Sequence, residues 1–209
     1  MITNDGHLLQ ARGPEHHAMR DRIVAAAEAR FRRDGYARTT VADLAGDLRI
    51  STAYVYKFFP SKTAICEAVC GEVLSRIDAE LWRIARSDVP PEDRLERLFR
   101  GLLSETVALL FKERKLHDMT KVAMDHRWAS VERHKAAMRD TAAHVIEAGR
   151  ATGAFETATP LDEQAQAVTS AMVAFAHPAV IEHALDSGQD LPAQAVWTAR
   201  LVTRGLKAR

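Results

Sequence analysis

Cysteine, glycine and aromatic residues are all scarce in this chain, and each scarcity narrows what it can be. Two cysteines among 209 residues cannot build the disulfide framework of a secreted mini-domain. Cys66 and Cys70 are spaced i,i+4 on a predicted helix, which fits neighbouring thiols on one face. Buried, unreactive thiols are the simpler reading of that spacing, and a redox sensor is the other. Aromatic residues make up 6% of the chain and glycine ten positions, whereas alanine is abundant. That balance favours helix, because alanine has the least helix cost and strands draw on aromatic and β-branched side chains. Little or no strand is expected. No run of about 18 apolar residues exists to span a bilayer, and Met1 to Gly13 lacks the apolar core of a signal peptide, so a cytoplasmic location is expected. A glycine-rich phosphate loop and internal repeats are also missing, which leaves nucleotide chemistry without a seat.

Charge of one sign is lacking overall, since the formal net charge is only +1. Its distribution is uneven: residues 1–62 hold ten Lys or Arg against seven Asp or Glu, a net +3, which leaves −2 for the remainder. A basic front segment fits a nucleic-acid partner.

What the chain has is helical periodicity broken by clear stops. Residues 1–13 are polar and without period, and are expected to form a flexible arm. From Pro14, Ile23, Ala26, Ala27 and Phe31 recur at helical spacing until Gly35, where a left-handed residue closes the helix. Thr40 is placed to cap a second helix, with Asp43 well placed against its dipole and Val41, Leu44, Ala45 and Leu48 on its buried face. Ser51 is placed to cap a very short third helix through Phe58, ended by the Phe59, Pro60, Ser61 corner. A long helix follows from Ser61, striped by Ile65, Val69, Val73, Ile77, Leu81 and Ile84. After the break at Val89, Pro90 and Pro91, further helices are expected over about 91–112, 114–126 and 128–152. One helix bent near Pro178 is expected over 161–187, and a last one over 192–207. The fold class is therefore all-α with about nine helices, divided into the arm 1–13, a front unit 14–60 and a larger unit 61–209.

The segment Thr40 to Lys62 reads TVADLAGDLRISTAYVYKFFPSK, and its third helix divides its faces unusually. Val55, Phe58 and Phe59 can turn inward, which leaves Thr52, Ala53, Tyr54, Tyr56 and Lys57 for solvent or a partner. So short a helix does not sustain itself in water and must be held by its neighbours as a rigid probe. That is the mechanical requirement of a recognition helix entering the major groove, about 12 Å wide.

In Thr40, Leu44, Ala45, the Ile50 and Ser51 pair, Tyr56, Phe59, Lys62 and Ile65, the segment resembles the DNA-binding domain of the TetR family of repressors. The resemblance covers roughly residues 15–66 and continues beyond them only as architecture. It implies that Thr40, Ser51, Tyr56 and Lys62 contact phosphates and that Thr52, Ala53, Tyr54 and Lys57 face base edges. The chemistry agrees: hydroxyls donate to phosphate oxygens, helix starts favour anions, and Lys57 can donate to guanine acceptors. Two positions depart from the family. Arg49 stands where the family usually has Gly, at a cost on the order of 1 kcal/mol if the turn requires positive φ, although Arg49 can also add a phosphate contact. Ala53 stands where the family often has Gly, a small change that can alter which base is read.

The resemblance further implies a homodimer through residues 161–187 and 192–207, a palindromic double-stranded operator read at two points about 34 Å apart, and a small molecule held between helices of the larger unit. Candidate pocket residues are Phe99, Phe111, Met119, Met124, Trp128, Met138, Met172 and Phe175, with His177 beside a polar ligand group; ordinary core packing is the alternative for each. The histidines His117, His126, His134, His144, His177 and His183 form no tight i,i+4 pair with an acidic third ligand, so neither a metal nor another cofactor is expected. An enzyme on a helical bundle would need a nucleophile with its base, or a carboxylate pair, and none is recognisable. A ligand-independent DNA-binding or protein-docking module is the third alternative. The expectation is a ligand-responsive repressor and not an enzyme.

Overall fold

The computed structural model describes residues 14–125 and 128–207, with the backbone alone at 121, 122, 124 and 125. The arm 1–13 and His126 lie outside the described residues. Ten helices follow one another, and the described residues contain no strand beyond an isolated bridge between Phe155 and Lys207. They are α1 (Pro14–Asp34), α2 (Val41–Leu48), α3 (Thr52–Tyr56), α4 (Lys62–Ala85), α5 (Pro91–Lys112), α6 (Arg114–Asp125), α7 (Ala129–Ala151), α8 (Leu161–Val173), α9 (Pro178–Asp186) and α10 (Leu191–Leu206). None is both long and apolar enough to cross a membrane alone.

The stripe expected on α4 is buried throughout, from Ile65 to Ile84, and packs against α1, α5 and α7. Cys66 and Cys70 lie inside the same surface. Burial pushes their thiols up to about 12 and about 11, which favours the protonated form and fits the simpler reading of their spacing. The α7 N-terminus is capped from α4, where the Glu67 carboxylate accepts from the Ala129 N–H at 3.0 Å. Pro91 opens α5 in the position where its missing N–H costs nothing. Arg94 closes the preceding corner by donating to the Val89 carbonyl at 2.7 Å.

The single bent helix expected over 161–187 is two helices. The chain leaves α8 at Val173, turns through Ala174 to His177 and restarts at Pro178 with the two axes 47° apart. Proline lacks the N–H that would continue the ladder and crowds the preceding turn. The two pieces also have different partners, α7 and α10 for α8 but α5 and α6 for α9. At the end of α7 an added Cβ on Gly149 would run into the Phe155 ring, so glycine lets the chain fold back there. The neighbouring Glu156 N–H donates to the Leu206 carbonyl at 2.8 Å and pins the end of α10.

Candidate nucleic-acid interface

Three consecutive helices, α2, α3 and α4, start within residues 40–62, each capped by a hydroxyl. Thr40 Oγ1 accepts from the Asp43 N–H at 3.1 Å, while Asp43 Oδ2 accepts from both the N–H and the hydroxyl of Thr40 at 2.8 Å, a reciprocal capping box. Ser51 Oγ accepts from the Tyr54 N–H and Ser61 Oγ from the Ala64 N–H, each at 3.1 Å. The three hydroxyls are not equivalent as donors. That of Thr40 already donates to Asp43, whereas the Ser51 proton has no acceptor among the described residues. The Thr40 hydroxyl and backbone bonds hold the Asp43 carboxyl below the usual carboxylate range, with Arg30 at 3.3 Å adding to the effect. Arg30 also lies 3.5 Å from Asp34 and 3.4 Å from Asp47, so one guanidinium offsets three carboxylates.

The corner between α2 and α3 is a Schellman turn. Arg49 donates its N–H to the Gly46 carbonyl at 3.1 Å and Ile50 to the Ala45 carbonyl at 3.0 Å. Arg49 sits at φ 54°, ψ 43°, the one non-glycine residue with positive φ among those described. The strain expected from its replacement of glycine is therefore present, and its side chain projects into solvent.

Helix α3 is shorter than expected, ending at Tyr56 with Lys57 as its cap, although Phe58 and Phe59 still donate to the Val55 carbonyl at 3.0 and 3.2 Å. Val55 and Phe59 are buried and fasten the helix to the core. Phe58 is only half-buried, its ring 4.5 Å from His16 and 5.3 Å from Tyr54. Ala53, Tyr54, Tyr56 and Lys57 are exposed and Thr52 is half-exposed. Tyr54 and Tyr56, 36% and 48% exposed, carry hydroxyls with no hydrogen-bond partner among the described residues. Lys57 Nζ lies 5.6 Å over the Tyr54 ring, which joins a cation and an aromatic donor on one face.

Lys62, in the first turn of α4, places Nζ 4.2 Å over the ring of Tyr36, and that ring stands edge-on to Phe31 at 5.6 Å. The ammonium is thus held at a fixed height beside the start of a helix. Sequence reading passed over Tyr36, and also Arg20, whose guanidinium covers the Phe59 ring at 5.1 Å. An aromatic residue directly after the helix-closing Gly35 was the available signal. Of the nine residues singled out from sequence, Thr40, Ser51 to Tyr54 and Lys62 belong to the three helix starts, Arg49 to the α2–α3 corner, and Tyr56 and Lys57 to the end of α3.

Comparison with known proteins bears on what such a surface belongs to. The family model described as bacterial regulatory proteins, tetR family, matches residues 23–69, and that of the tetracyclin repressor-like C-terminal domain matches residues 91–197. The chain belongs to the TetR family of transcriptional regulators. No curated protein matches it by sequence. Among solved structures, a TetR-family regulator of Pectobacterium atrosepticum is 17% identical, with a TM-score of 0.75 over 95% of this chain and 99% of that one. A transcriptional regulator of Cytophaga hutchinsonii is 20% identical, with a TM-score of 0.67 over 90% and 98%. Thermus thermophilus FadR, a repressor solved with lauroyl-CoA, is 22% identical, with a TM-score of 0.64 over 91% and 96%.

In this TetR-family chain the expected pocket residues are mostly packed core. Phe99 and Phe175 meet edge to face at 5.9 Å, and Met119, Trp128, Met138 and Met172 are buried around the same helices. Phe111 departs from the expectation: it is 70% exposed in the last turn of α5 and lines no interior. The Met124 side chain lies outside the described residues. His177 is half-buried at the start of α9 and its Nδ1 has no hydrogen-bond partner among the described residues. Two other histidines are fully enclosed, His117 with Nε2 3.4 Å from Glu182 and His134 with Nδ1 2.6 Å from Asp78. No three potential metal ligands gather among the described residues. Open concavities lie elsewhere: about 970 Å³ between α7 and α8 beside Arg139 and Gln166, about 180 Å³ beside Arg32 and Arg76, and two further hollows along α5.

Proposed function

We propose that this regulator is a repressor that binds a palindromic operator as a homodimer and is released by a small molecule. The observation that carries the reading is the exposed face of α3, a rigidly seated surface of Ala53, Tyr54 and Lys57 flanked by capped helix starts. In this reading Thr52, Ala53, Tyr54 and Lys57 face base edges, and Ser51, Tyr56, Lys62 and Arg49 bind phosphates. Thr40 joins them once its hydroxyl turns from Asp43. Base-edge contacts specify and phosphate contacts position, so the two groups are separable by experiment.

Residues 14–60 act as the reading unit behind the arm 1–13, and residues 61–209 as the unit that pairs and senses. Pairing through 161–187 and 192–207 is supported by Trp197 and Leu201, i,i+4 on α10 and 64% and 72% exposed, and by Val180 on α9 at 45%. Apolar side chains aligned on one exposed helix face are the signature of a contact surface. The proposed interior ligand site is the cluster of Phe99, Met119, Trp128, Met172 and Phe175 with His177, where flexible methionines allow repacking around a guest. The lauroyl-CoA of the Thermus protein shows what that protein holds, and at 22% identity it does not choose the ligand here.

Selection of bound duplexes from a random pool, followed by gel shifts, tests the reading. A palindromic consensus is expected. Tyr54→Ala should mainly relax sequence preference, whereas Lys62→Ala should weaken all duplexes alike and lower the salt slope by about one unit. Absence of a consensus, or the reverse pattern of the two variants, refutes the assignment of faces.

A further inference from the structure

The two hollows along α5 adjoin, since Arg100 and Ser104 line both. Their linings differ in kind. One arm, about 320 Å³, is walled by Leu103, Val107, Leu185 and Leu191, brought together by α5 and the turn between α9 and α10. The other, about 370 Å³, opens at the end of α4 against Arg83, Arg97 and Ser87. Each lies at the lower end of the range of small-molecule sites.

The cations of the polar arm are unequally engaged. Arg83 is held by Glu80 at 2.5 Å, and Arg100 lies 3.9 Å from Glu96, which Arg200 also approaches at 3.4 Å. Arg97 is exposed and has no ion-pair partner among the described residues. The furrow thus offers a dry wall at one end and a surplus cation with a half-engaged one at the other. From Arg97 to Val107 the helix rises about 15 Å at 1.5 Å per residue.

We infer that this furrow is a binding site for a small anionic amphiphile, a carboxylate or phosphate head with an unbranched apolar tail of about ten carbons. The head lies against Arg97 and Arg100, where guanidinium geometry suits two-pronged binding of an oxyanion. The tail lies along Leu103, Val107, Leu185 and Leu191. The site is open before the ligand arrives, unlike the packed interior cluster, and it rests on the repressor reading only for any effect on DNA.

Calorimetric titration of the full chain with sodium decanoate, below micelle formation, tests the inference. Decyltrimethylammonium supplies the tail with a head of the opposite charge, and sodium acetate the head without the tail. One decanoate per chain is expected, with neither control binding. Arg97→Ala with Arg100→Ala should weaken decanoate roughly tenfold, the size of a lost charge-assisted contact. Leu185→Asp should do the same, and if that variant unfolds the surface arginine pair still decides. Equal binding of the cationic probe, or unchanged binding by the arginine variant, overturns the proposal. So does a silent titration in which Leu185→Asp converts an oligomer to a smaller species, since a second copy of the chain then covers the furrow. Gel shifts on the same samples keep the readings apart, because intact DNA binding without decanoate binding refutes the furrow alone.

Discussion

Replacing Arg49 by glycine should make the protein more stable and, in the same step, bind DNA less well. An L-residue in the left-handed region carries a cost of about 1–2 kcal/mol from its Cβ against the following carbonyl. Glycine removes that cost but loses about 0.5–1 kcal/mol through the greater freedom of the unfolded chain. Arg49 sits at φ 54° with its turn bonds made by backbone atoms alone, so the substitution leaves those bonds in place. The net expectation is a gain of about 0.5–1 kcal/mol, or roughly 1–4 °C in Tm for a chain of this size. Arg49→Ala is the necessary control, since it keeps the Cβ and discards the guanidinium. Urea unfolding at one fixed protein concentration should rank glycine above alanine, with alanine close to the parent. Salt titration of duplex binding should lower the slope by about one for both variants if Arg49 meets a phosphate. A glycine variant no more stable than the alanine variant would falsify the strain argument, and unchanged salt slopes in both would remove Arg49 from the phosphate set.

Three other consequences are open to direct measurement. The Asp43 carboxyl is held below its usual range by Thr40, so its contribution is present in full above the unfolded value near pH 4 and is lost as pH falls through the folded one. Asp43→Asn should accordingly flatten the acid limb of the stability curve, and an unaltered limb would count against the capping box. Gly149→Ala should destabilise by about 1–3 kcal/mol because its Cβ meets the Phe155 ring, and trimming that ring in Gly149→Ala/Phe155→Leu should return part of the loss. Tyr36→Leu should weaken duplex binding about two- to fivefold through the loss of a cation–π contact of about 0.5–1 kcal/mol, while Tyr36→Phe restores it. Equal affinities for all three proteins would show that Lys62 needs no such support.

How far the sequence could be read depended on the range of the interaction concerned. The α4 stripe, the caps Thr40 and Ser51 and the break at Pro91 arise within a few residues of chain, and all lie where local pattern puts them. Arg49 was legible as an anomaly because a missing glycine marks a left-handed position. The division at Pro178 was read as a bend, since a proline permits either outcome and the choice fell to packing: α8 and α9 face different helices. Phe111 is apolar by type and exposed by position, and residue type alone does not say which way a helix end will turn. Tyr36 and Lys62 meet only because the α1–α2 corner folds back on α4; the aromatic residue after Gly35 marks the position, but neither stretch alone names the other as its partner.

The same folding-back decides how the reading unit is joined to the rest. The last two turns of α1 carry Glu28, which takes Arg32 at 2.7 Å and Arg76 of α4 at 2.5 Å. Arg32 also reaches Glu113 ahead of α6 at 3.1 Å, and Lys115 of α6 donates to the Arg33 carbonyl. The arginines are about half exposed although Glu28 is only 14% exposed, and solvent screening on the arginine side keeps each pair to about 1 kcal/mol, a small addition to stability. They do fix register, because three separate elements must agree on one position for the end of α1. A coupling of about 1–3 kcal/mol between distant sites is enough to change an affinity severalfold or more, and a join made of several weak pairs can be rearranged for a free energy of that size. Ile23, Ala27 and Phe31 of α1 lie in the same core as the α4 stripe and hold the two helices together, and the exchangeable contacts lie around that apolar seam, where α1 meets α4 and α6.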